Sequence, residues 1–345
     1  MKRPKISLIL GTARPSEGSL LDDDVHLMHY PLTSLAKQGF TDFELIVVDS
    51  LFNKRNLLKE MRVLGDWSFP IKVVPNPSFW LKEGLWALQG AFNSGARAAS
   101  GDWFLFCGDC CEFTPYTLEM VNGYITRGHG IHILVVYKRG DYIKKNRQEL
   151  THFKTLEDAR LNKEEDQLEL WRDSRFSLFQ PPHFAPVLET HWSQFYGYCC
   201  LPREDFFALN GWDEAFDGDK ALGDVELGSR LEMSGRLNMA VDMNCFLYEH
   251  DHYGIDQEMF RWKNRPSFKS NYDLIYLKRV SQDIRANNRK YTKEEGRLVF
   301  NARITGHPNW PKYSEITREQ QLWLDHTPVY DVKETPDAEV YSYKG

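Results

Sequence analysis

Residues 86–112 read WALQGAFNSGARAASGDWFLFCGDCCE, and this stretch decides the fold. Apolar and small residues recur at helical spacing from Trp86 to Ala99, and Gly101 supplies a stop signal. The apolar run Trp103–Cys107 then predicts a buried strand that ends in an acidic turn at Asp109. A helix that leads directly into a buried strand is typical of a βαβ unit, so the stretch predicts a mostly parallel sheet.

The same alternation of strand and helix extends towards both ends of the stretch. Short apolar runs predict further strands at Ile6–Leu10, Glu44–Asp49, Ile71–Val74 and Ile131–Tyr137, and Leu27–Gln38 is compatible with a helix. We therefore expect an α/β fold with a Rossmann-like, mixed but mostly parallel sheet flanked by helices.

The composition excludes several classes of protein. A chain of 345 residues with 42% hydrophobic and 27% charged residues is neither disordered nor collagen-like. Its net charge of −6 disfavours bulk electrostatic binding to nucleic acid, so we expect no nucleic-acid partner. No apolar run reaches the roughly 18–20 residues of a membrane span, which leaves only peripheral membrane contact.

The cysteines indicate a reducing compartment. The chain has 6 of them, and they include two adjacent pairs: Cys107, Cys110, Cys111, Cys199, Cys200 and Cys245. This spacing suits neither a disulfide framework nor a pair of CxxC zinc motifs. Since Ile6–Leu10 is also too short for the apolar core of a secretory signal, we expect a cytoplasmic location.

Polar residues follow three of the predicted strands. Thr12 and Arg14 follow the first strand, Asp49 ends the second, and Asp109 follows the strand that ends at Cys107. In open α/β sheets ligands bind at the carboxyl ends of the strands, so these residues form a candidate ligand site. An acid in the position of Asp49 accepts hydrogen bonds from a ribose or a base, or it caps a turn.

The order of several motifs carries a family resemblance. The chain contains Asn93-x-Gly95-x-x-x-Ala99-x-Gly101-Asp102, a hydrophobic strand, an acidic turn, Gly211-Trp212-Asp213-Glu214, and Gly223-Asp224-Val225-Glu226-Leu227-x-x-Arg230-Leu231. This ordered set, between about Ile6 and Tyr253, resembles the family 2 glycosyltransferases of the GT-A fold. The resemblance implies inverting transfer of a sugar from a nucleotide-activated donor, most often a UDP-sugar, to a glycan or another hydroxyl acceptor.

The resemblance also implies roles for individual residues. Asp224 is the expected general base, although an aspartate at a helix start also serves as a simple cap. The expected donor-binding residues are Thr12, Arg14, Asp49, Asn93 and Asp109, and the expected acceptor-binding residues are Trp212, Asp213 and Glu214. Trp212 either stacks on a sugar face or belongs to the core. Glu226 lies four residues before Arg230, a spacing that also favours a simple ion pair.

The metal-binding triplet of the family is degenerate in this chain. Depending on the frame, it falls on Gly108-Asp109-Cys110 or on Asp109-Cys110-Cys111, so Asp109 is its single carboxylate. Mn²⁺ and Mg²⁺ prefer oxygen ligands, which a cysteine does not supply. Three alternatives follow: Asp109 binds the metal together with Glu112 or a histidine, for which His250 is favoured over His252; Arg14 or Arg97 replaces the metal; or activity has been lost.

The resemblance divides the chain into a glycosyltransferase domain, residues 1–255, and a C-terminal extension, residues 256–345. Within the domain we expect a nucleotide-binding half (1–112) and an acceptor half (113–255), the latter with a charged, solvated helical insertion at 138–175. The chain after Pro336 is expected to fray. Gly108, Cys110 and Gly223 occupy positions where the family pattern has acids. Their replacement favours an alternative function: a catalytically inactive protein that binds nucleotide-sugars or acts as a scaffold.

Overall fold

The computed structural model describes residues 5–13, 28–85, 87–128, 130–139, 171–172, 187–189, 192–219, 222–250, 269–300, 316–333 and 341–343. In these residues eleven strands form one mixed sheet. In chain order they are β1 (Ile6–Thr12), β2 (Phe43–Asp49), β3 (Ile71–Pro75), β4 (Trp103–Gly108), β5 (Cys111–Phe113), β6 (Ile131–Arg139), β7 (Trp171–Arg172), β8 (Val187–Glu189), β9 (Cys199–Pro202), β10 (Met239–His250) and β11 (Tyr341–Tyr343). The strand order is β11-β3-β2-β1-β4-β9-β6-β10-β5, with β7 paired to β6 and β8 to β10.

The described helices flank this sheet or follow it in the chain. They are α1 (His29–Ala36), α2 (Leu57–Leu64), α3 (Leu88–Ala98), α4 (Thr117–Thr126), α5 (Arg203–Ala208), α6 (Gly223–Met233), α7 (Asn271–Val280), α8 (Lys293–Phe300) and α9 (Arg318–His326). Short 3₁₀ turns lie at Phe79–Leu81, Trp192–Gln194 and Glu214–Phe216. None of the described helices is both long and apolar enough to cross a membrane.

The parallel part of the sheet is the centre of the core. Strand β1 pairs in parallel with β2 and β4, and the residues of β2 are buried along their whole length. Gly95 brings α3 close to these strands: a Cβ atom added there would lie 2.4 Å from Cγ2 of Ile9 and 2.9 Å from Cγ2 of Val48. The small residues of α3 therefore allow the close helix–sheet contact that their spacing predicted.

Strand β9 runs antiparallel to β4, and this reversal shapes the ligand edge of the sheet. Phe106 of β4 lies opposite Cys199 of β9. Because the two strands run in opposite directions, the chain just after β4 lies beside the chain just before β9. The carboxyl ends of β1 and β2 lie at the same edge, since both strands are parallel to β4.

The predicted mixed, mostly parallel sheet is confirmed, and its longest pairings are parallel. The predicted helix at Leu27–Gln38 is found at His29–Ala36, and the helix predicted over Trp86–Ala99 at Leu88–Ala98. Of the predicted helical insertion at 138–175, the structure describes only 138–139 and 171–172, and both pairs of residues lie in strands. The expected fraying after Pro336 is wrong for Tyr341–Tyr343, which pair antiparallel with β3.

The described C-terminal helices share an apolar cluster with the rest of the molecule. Trp323 of α9 is buried against a cluster that includes Trp80 and Phe216, and its indole N–H donates to the carbonyl of Ala215 at 2.8 Å. The amide of Asn210 donates to the carbonyl of Ala286 at 2.6 Å. Residues of the predicted extension thus complete the core beside the 3₁₀ turn at Glu214–Phe216, while the division at residue 255 stays a prediction.

Candidate active site

The ends of β1 and β2 bring two of the predicted donor-binding residues together. Thr12 lies opposite Asp49 in the parallel pairing, and the Ser50 N–H donates to the Thr12 carbonyl at 2.8 Å. Both side chains are nearly buried, at 5% exposed for Thr12 and 1% for Asp49. Arg14, the third residue predicted at this edge, lies outside the described residues.

The carboxylate of Asp49 is held by a neighbouring arginine. Arg55 donates from Nε to Oδ2 at 2.9 Å and from Nη2 to Oδ1 at 2.8 Å, and the Leu51 N–H donates to Oδ1 at 2.9 Å. This bidentate pair fixes the acid at the end of β2. The predicted contact of Asp49 with a ribose or base stays a prediction.

Asp109 lies in the turn between β4 and β5, as the sequence predicted. Its side chain is 4% exposed. The turn packs against Tyr198: a Cβ atom added at Gly108 would lie 2.7 Å from the Tyr198 hydroxyl. A side chain at position 108 would therefore displace Tyr198, so the glycine that replaces the first acid of the family triplet fits the packing of this turn.

Asp224 is the second residue of α6, on a helix start with unusual geometry. Leu222, which precedes the helix, has φ +68° and makes no side-chain cap bond. The Asp224 Oδ1 accepts a hydrogen bond from the Val225 N–H at 2.9 Å, and the side chain is half-buried. Because the start of a helix is electropositive, the side chain of Asp224 interacts favourably with this end of α6.

Asp109 and Asp224 lie at the same edge of the sheet. A Cβ atom added at Gly197, just before β9, would lie 3.6 Å from Cβ of Asp224. Burial raises the pKa of the Cys199 thiol well above its usual range, and the neighbouring Cys200 and Asp224 raise it further. Burial likewise raises the pKa of Cys107 well above its usual range, with added repulsion from Cys110, Cys199 and Asp109. Asp109 thus raises the pKa of Cys107, and Asp224 raises that of Cys199. Both carboxylates therefore lie near the junction of β4 and β9.

The described residues around Asp109 do not fit a site for Mg²⁺ or Mn²⁺. Burial raises the pKa of both Cys107 and Cys111, so these thiols are neutral at physiological pH and are poor ligands for a hard cation. Among the described residues no group of three or more histidine, cysteine or acidic side chains could hold a metal ion. His250 ends β10 opposite Arg139, and its side chain lies outside the described part of the chain, so its predicted metal role stays untested.

Trp212, for which the sequence offered stacking on a sugar or a place in the core, lies in the core. The indole is 1% exposed, and its ring centroid lies 5.4 Å from those of both Phe92 and Phe106. Neither face of the ring is open to a ligand. Of the two alternatives that the sequence offered, the structure supports the buried one.

Asn93 and Glu214 are also used inside the protein. Asn93 is fully buried. Its Oδ1 accepts a hydrogen bond from the backbone N–H of Trp212 at 2.8 Å. Its Nδ2 donates to the backbone carbonyl of Trp212 at 2.8 Å and to Oε1 of Glu214 at 3.0 Å. The hydroxyl of Tyr330 also donates to Glu214 Oε1. These bonds fasten α3 to the turn that follows α5. They argue against direct contact of Asn93 with the donor, because its amide is satisfied within the core.

Asp213 forms a buried ion pair rather than an open acceptor wall. It accepts from the ammonium of Lys278, and both side chains are 2% exposed. Burial raises the pKa of Asp213, but the charges of Lys278 and Arg230 outweigh it, so the net pKa is lowered. The predicted pair of Glu226 and Arg230 is confirmed, with bonds of 2.6 and 2.8 Å.

Sequence reasoning missed several residues that shape this region. Lys278 and Tyr330 lie beyond the motifs that carry the resemblance, and no local pattern marks them. Tyr198, which packs on the Asp109 turn, lies between the motifs and has no signal of its own. The sequence could identify none of these, because each acts through a contact between distant segments.

Comparison with known proteins shows a similarity to one family over part of the chain. A family model described as glycosyl transferase family 2 matches residues 29–180. Over these residues the chain is similar to glycosyl transferase family 2. A stretch of 106 residues is also 32% identical to an uncharacterized glycosyltransferase of Haemophilus influenzae; it makes up 30% of this chain and 31% of that relative, so the chain spans about a third of the relative's length.

Two solved structures of S. aureus TarS are similar to this chain. The structure of TarS 1–349 has a TM-score of 0.46 and 14% identity, and the similarity covers 74% of this chain and 64% of that one. The structure of TarS 1–349 in complex with UDP-GlcNAc has a TM-score of 0.49 and 12% identity, with 85% of this chain and 70% of that one covered.

Proposed function

We propose that the chain is an inverting glycosyltransferase that moves a sugar from a nucleotide-sugar donor, a UDP-sugar, to a hydroxyl acceptor. The acceptor oxygen attacks the anomeric carbon as the bond from that carbon to the diphosphate breaks. Asp224 accepts the proton that the acceptor hydroxyl loses. UDP leaves, and the transferred sugar has the opposite anomeric configuration because the attack comes from the face opposite the diphosphate.

The observation that carries this proposal is the position of Asp224. It lies at the start of α6 beside Gly197, at the same edge of the sheet as Asp109. A general base must lie within hydrogen-bond reach of the proton that it takes, and it must be ionised when it does so. Asp224 lies at the electropositive start of α6 and is only half-buried, and both features support this role.

The donor half of the proposal rests on the ends of β1, β2 and β4. Thr12, the Asp49–Arg55 pair and Asp109 lie along one edge of the sheet, which is where nucleotide ligands bind in open α/β folds. We assign the nucleoside to the Thr12 and Asp49 end and the diphosphate region to Asp109. No step of this proposal depends on a bound metal.

The test is the replacement of Asp224 by asparagine. We expect UDP release from UDP-GlcNAc, UDP-glucose or UDP-galactose to fall by about 10²- to 10⁴-fold, with UDP affinity within about twofold of the wild type. Glu232→Gln is the matched control, since Glu232 lies on the same helix in a partly exposed pair with Arg279. Near-normal turnover by the Asp224→Asn variant would remove Asp224 as the base.

A second candidate is a nucleotide-sugar binding protein without catalysis. It is favoured by Gly108, Cys110 and Gly223, which replace acids of the family pattern, and by the neutral thiols beside Asp109. Calorimetric titration of the three UDP-sugars, followed by a turnover assay with and without MnCl₂, separates the two functions. Binding with no turnover under either condition would favour this candidate, and reproducible turnover would reject it.

We also propose that the protein functions in the cytoplasm. All six cysteines are buried and free, including the adjacent pairs, which is the state that a reducing compartment maintains. Fractionation of cells that express the tagged chain tests this location. Recovery with secreted proteins would contradict it.

A further inference from the structure

Gln89 occupies a fixed place at the start of α3. Its backbone N–H donates to Oδ1 of Asp217 at 3.0 Å, and the Gly90 N–H donates to Oδ2 of the same residue at 2.9 Å. Asp217 is fully buried. A carboxylate that accepts two N–H groups caps a helix firmly, so the first turn of α3 is held against the chain that leads towards α6.

The side chain of Gln89 reaches the helix that carries Asp224. A Cβ atom added at Gly223 would lie 1.8 Å from Nε2 of Gln89 and 2.8 Å from its Cδ. The amide therefore fills the space that any larger side chain at position 223 would need. Position 223 is also where the family pattern has the first acid of its pair, so an amide from α3 stands here in place of that acid.

The amide of Gln89 has an unused acceptor. The side chain is 6% exposed, and its Oε1 is buried without a hydrogen-bond partner. Leu222, which precedes α6, provides no side-chain cap for that helix. Buried acceptors are almost always paired in folded proteins, so an unpaired one beside the start of α6 indicates a place for a polar ligand group.

We propose that Gln89 binds a hydroxyl of the donor sugar, through the amide that lies against Gly223. This inference rests on the proposed function. Helix α3 packs on the nucleotide-binding half of the sheet, whereas α6 supplies the base. The anomeric carbon must lie about 3–3.5 Å from the acceptor oxygen that Asp224 deprotonates, so the transferred sugar lies where these two helices meet. A sugar hydroxyl both donates and accepts, and it suits either end of the amide.

The test compares the binding of UDP with that of UDP-sugars. Titration calorimetry is performed with UDP, UDP-GlcNAc and UDP-glucose on the wild type and on Gln89→Met, which keeps the length of the side chain but removes the amide. We expect the affinity for the UDP-sugar that binds best to fall about 3- to 10-fold in the variant, while that for UDP stays within twofold. An equal loss for UDP and UDP-sugar, or no loss for either, would overturn the inference.

A mutant cycle with Gly223→Ala provides a second measurement. The added methyl group must displace the Gln89 amide, so Gly223→Ala alone should weaken UDP-sugar binding as Gln89→Met does. In the double variant the two losses should not add, because both remove the same contact. Additive losses would contradict the proposed contact. A wild type that binds neither UDP nor the UDP-sugars would instead overturn the proposed function, and this inference with it.

Discussion

Lys278 of α7 donates a hydrogen bond to the carboxylate of Asp213, 65 residues earlier in the chain, and both side chains are almost completely buried. The same ammonium lies 3.4 Å from Oε1 of Glu226 and 3.9 Å from Oδ2 of Asp283. One cation therefore joins the turn after α5 to α6, the helix that carries Asp224. Lys278 thus connects the C-terminal part of the chain to the helix that carries the proposed base.

Replacing Lys278 with methionine should destabilise the protein by about 3–5 kcal/mol, because Asp213 would keep a buried charge without its partner. Urea unfolding measures this loss. The lowered pKa of Asp213 means that the pair is fully effective at neutral pH and loses its contribution as the pH falls below the ordinary aspartate range, near 4. The difference between wild type and variant should therefore shrink in acid.

The matched control is Arg285→Met. Arg285 pairs with Asp331 at 3.0 Å, but these side chains are 45% and 34% exposed. Exposed ion pairs contribute little to stability, so Arg285→Met should lower the free energy of unfolding by less than about 1 kcal/mol. Equal losses for the two variants would show that the buried pair has no special role.

Lys269 should make the free energy of unfolding depend on pH in the alkaline range. Burial lowers the pKa of Lys269 to about 8, although the charges of Asp219 and Asp217 oppose the shift. Between about pH 8 and 10 the unfolded chain binds more protons than the folded one, so this group makes the folded state more stable as pH rises. The unfolding free energy of wild type relative to Lys269→Met should therefore increase by up to about 3 kcal/mol between pH 7.5 and 10. Parallel curves would contradict the lowered pKa.

Two glycine-to-alanine changes should have opposite effects. Gly95→Ala places a methyl group 2.4 Å from Cγ2 of Ile9, so we expect a loss of about 1–3 kcal/mol from overpacking. Gly123 lies in α4, where the nearest atom to an added Cβ is the flexible end of Arg127 at 3.8 Å. Gly123→Ala should stabilise the protein by about 0.5–1 kcal/mol, because alanine is the better helix former. Thermal and urea unfolding of both variants measure these effects.

The buried thiols should be unreactive in the native protein. All six cysteines are free and buried, and burial raises the pKa of Cys107, Cys199 and Cys200. A neutral, inaccessible thiol is a poor nucleophile, so Ellman's reagent should react slowly with the folded chain at pH 8 and with six thiols in urea. Rapid reaction of the folded protein would show that the junction of β4 and β9 opens to solvent.

The sequence by itself determined five strands of the sheet and the place of the two acids. Apolar runs such as Phe43–Asp49 report burial on both faces of a strand, a property that depends on local residues alone. Asp109 at a strand end and Asp224 at a helix start follow from the same local patterns, and the structure adds that the two lie at one edge.

Only the tertiary structure decided which of the other motif residues face a ligand. The sequence alone does not show whether Trp212 and Asp213 line a cleft or lie in the core. In the structure Trp212 packs against the rings of Phe92 and Phe106, and Asp213 pairs with the ammonium of Lys278, so both are buried. Gln89 carries no local signal, yet it meets Gly223 more than a hundred residues away. Local patterns fix which elements form, whereas burial and pairing depend on which distant segments come together in the folded chain.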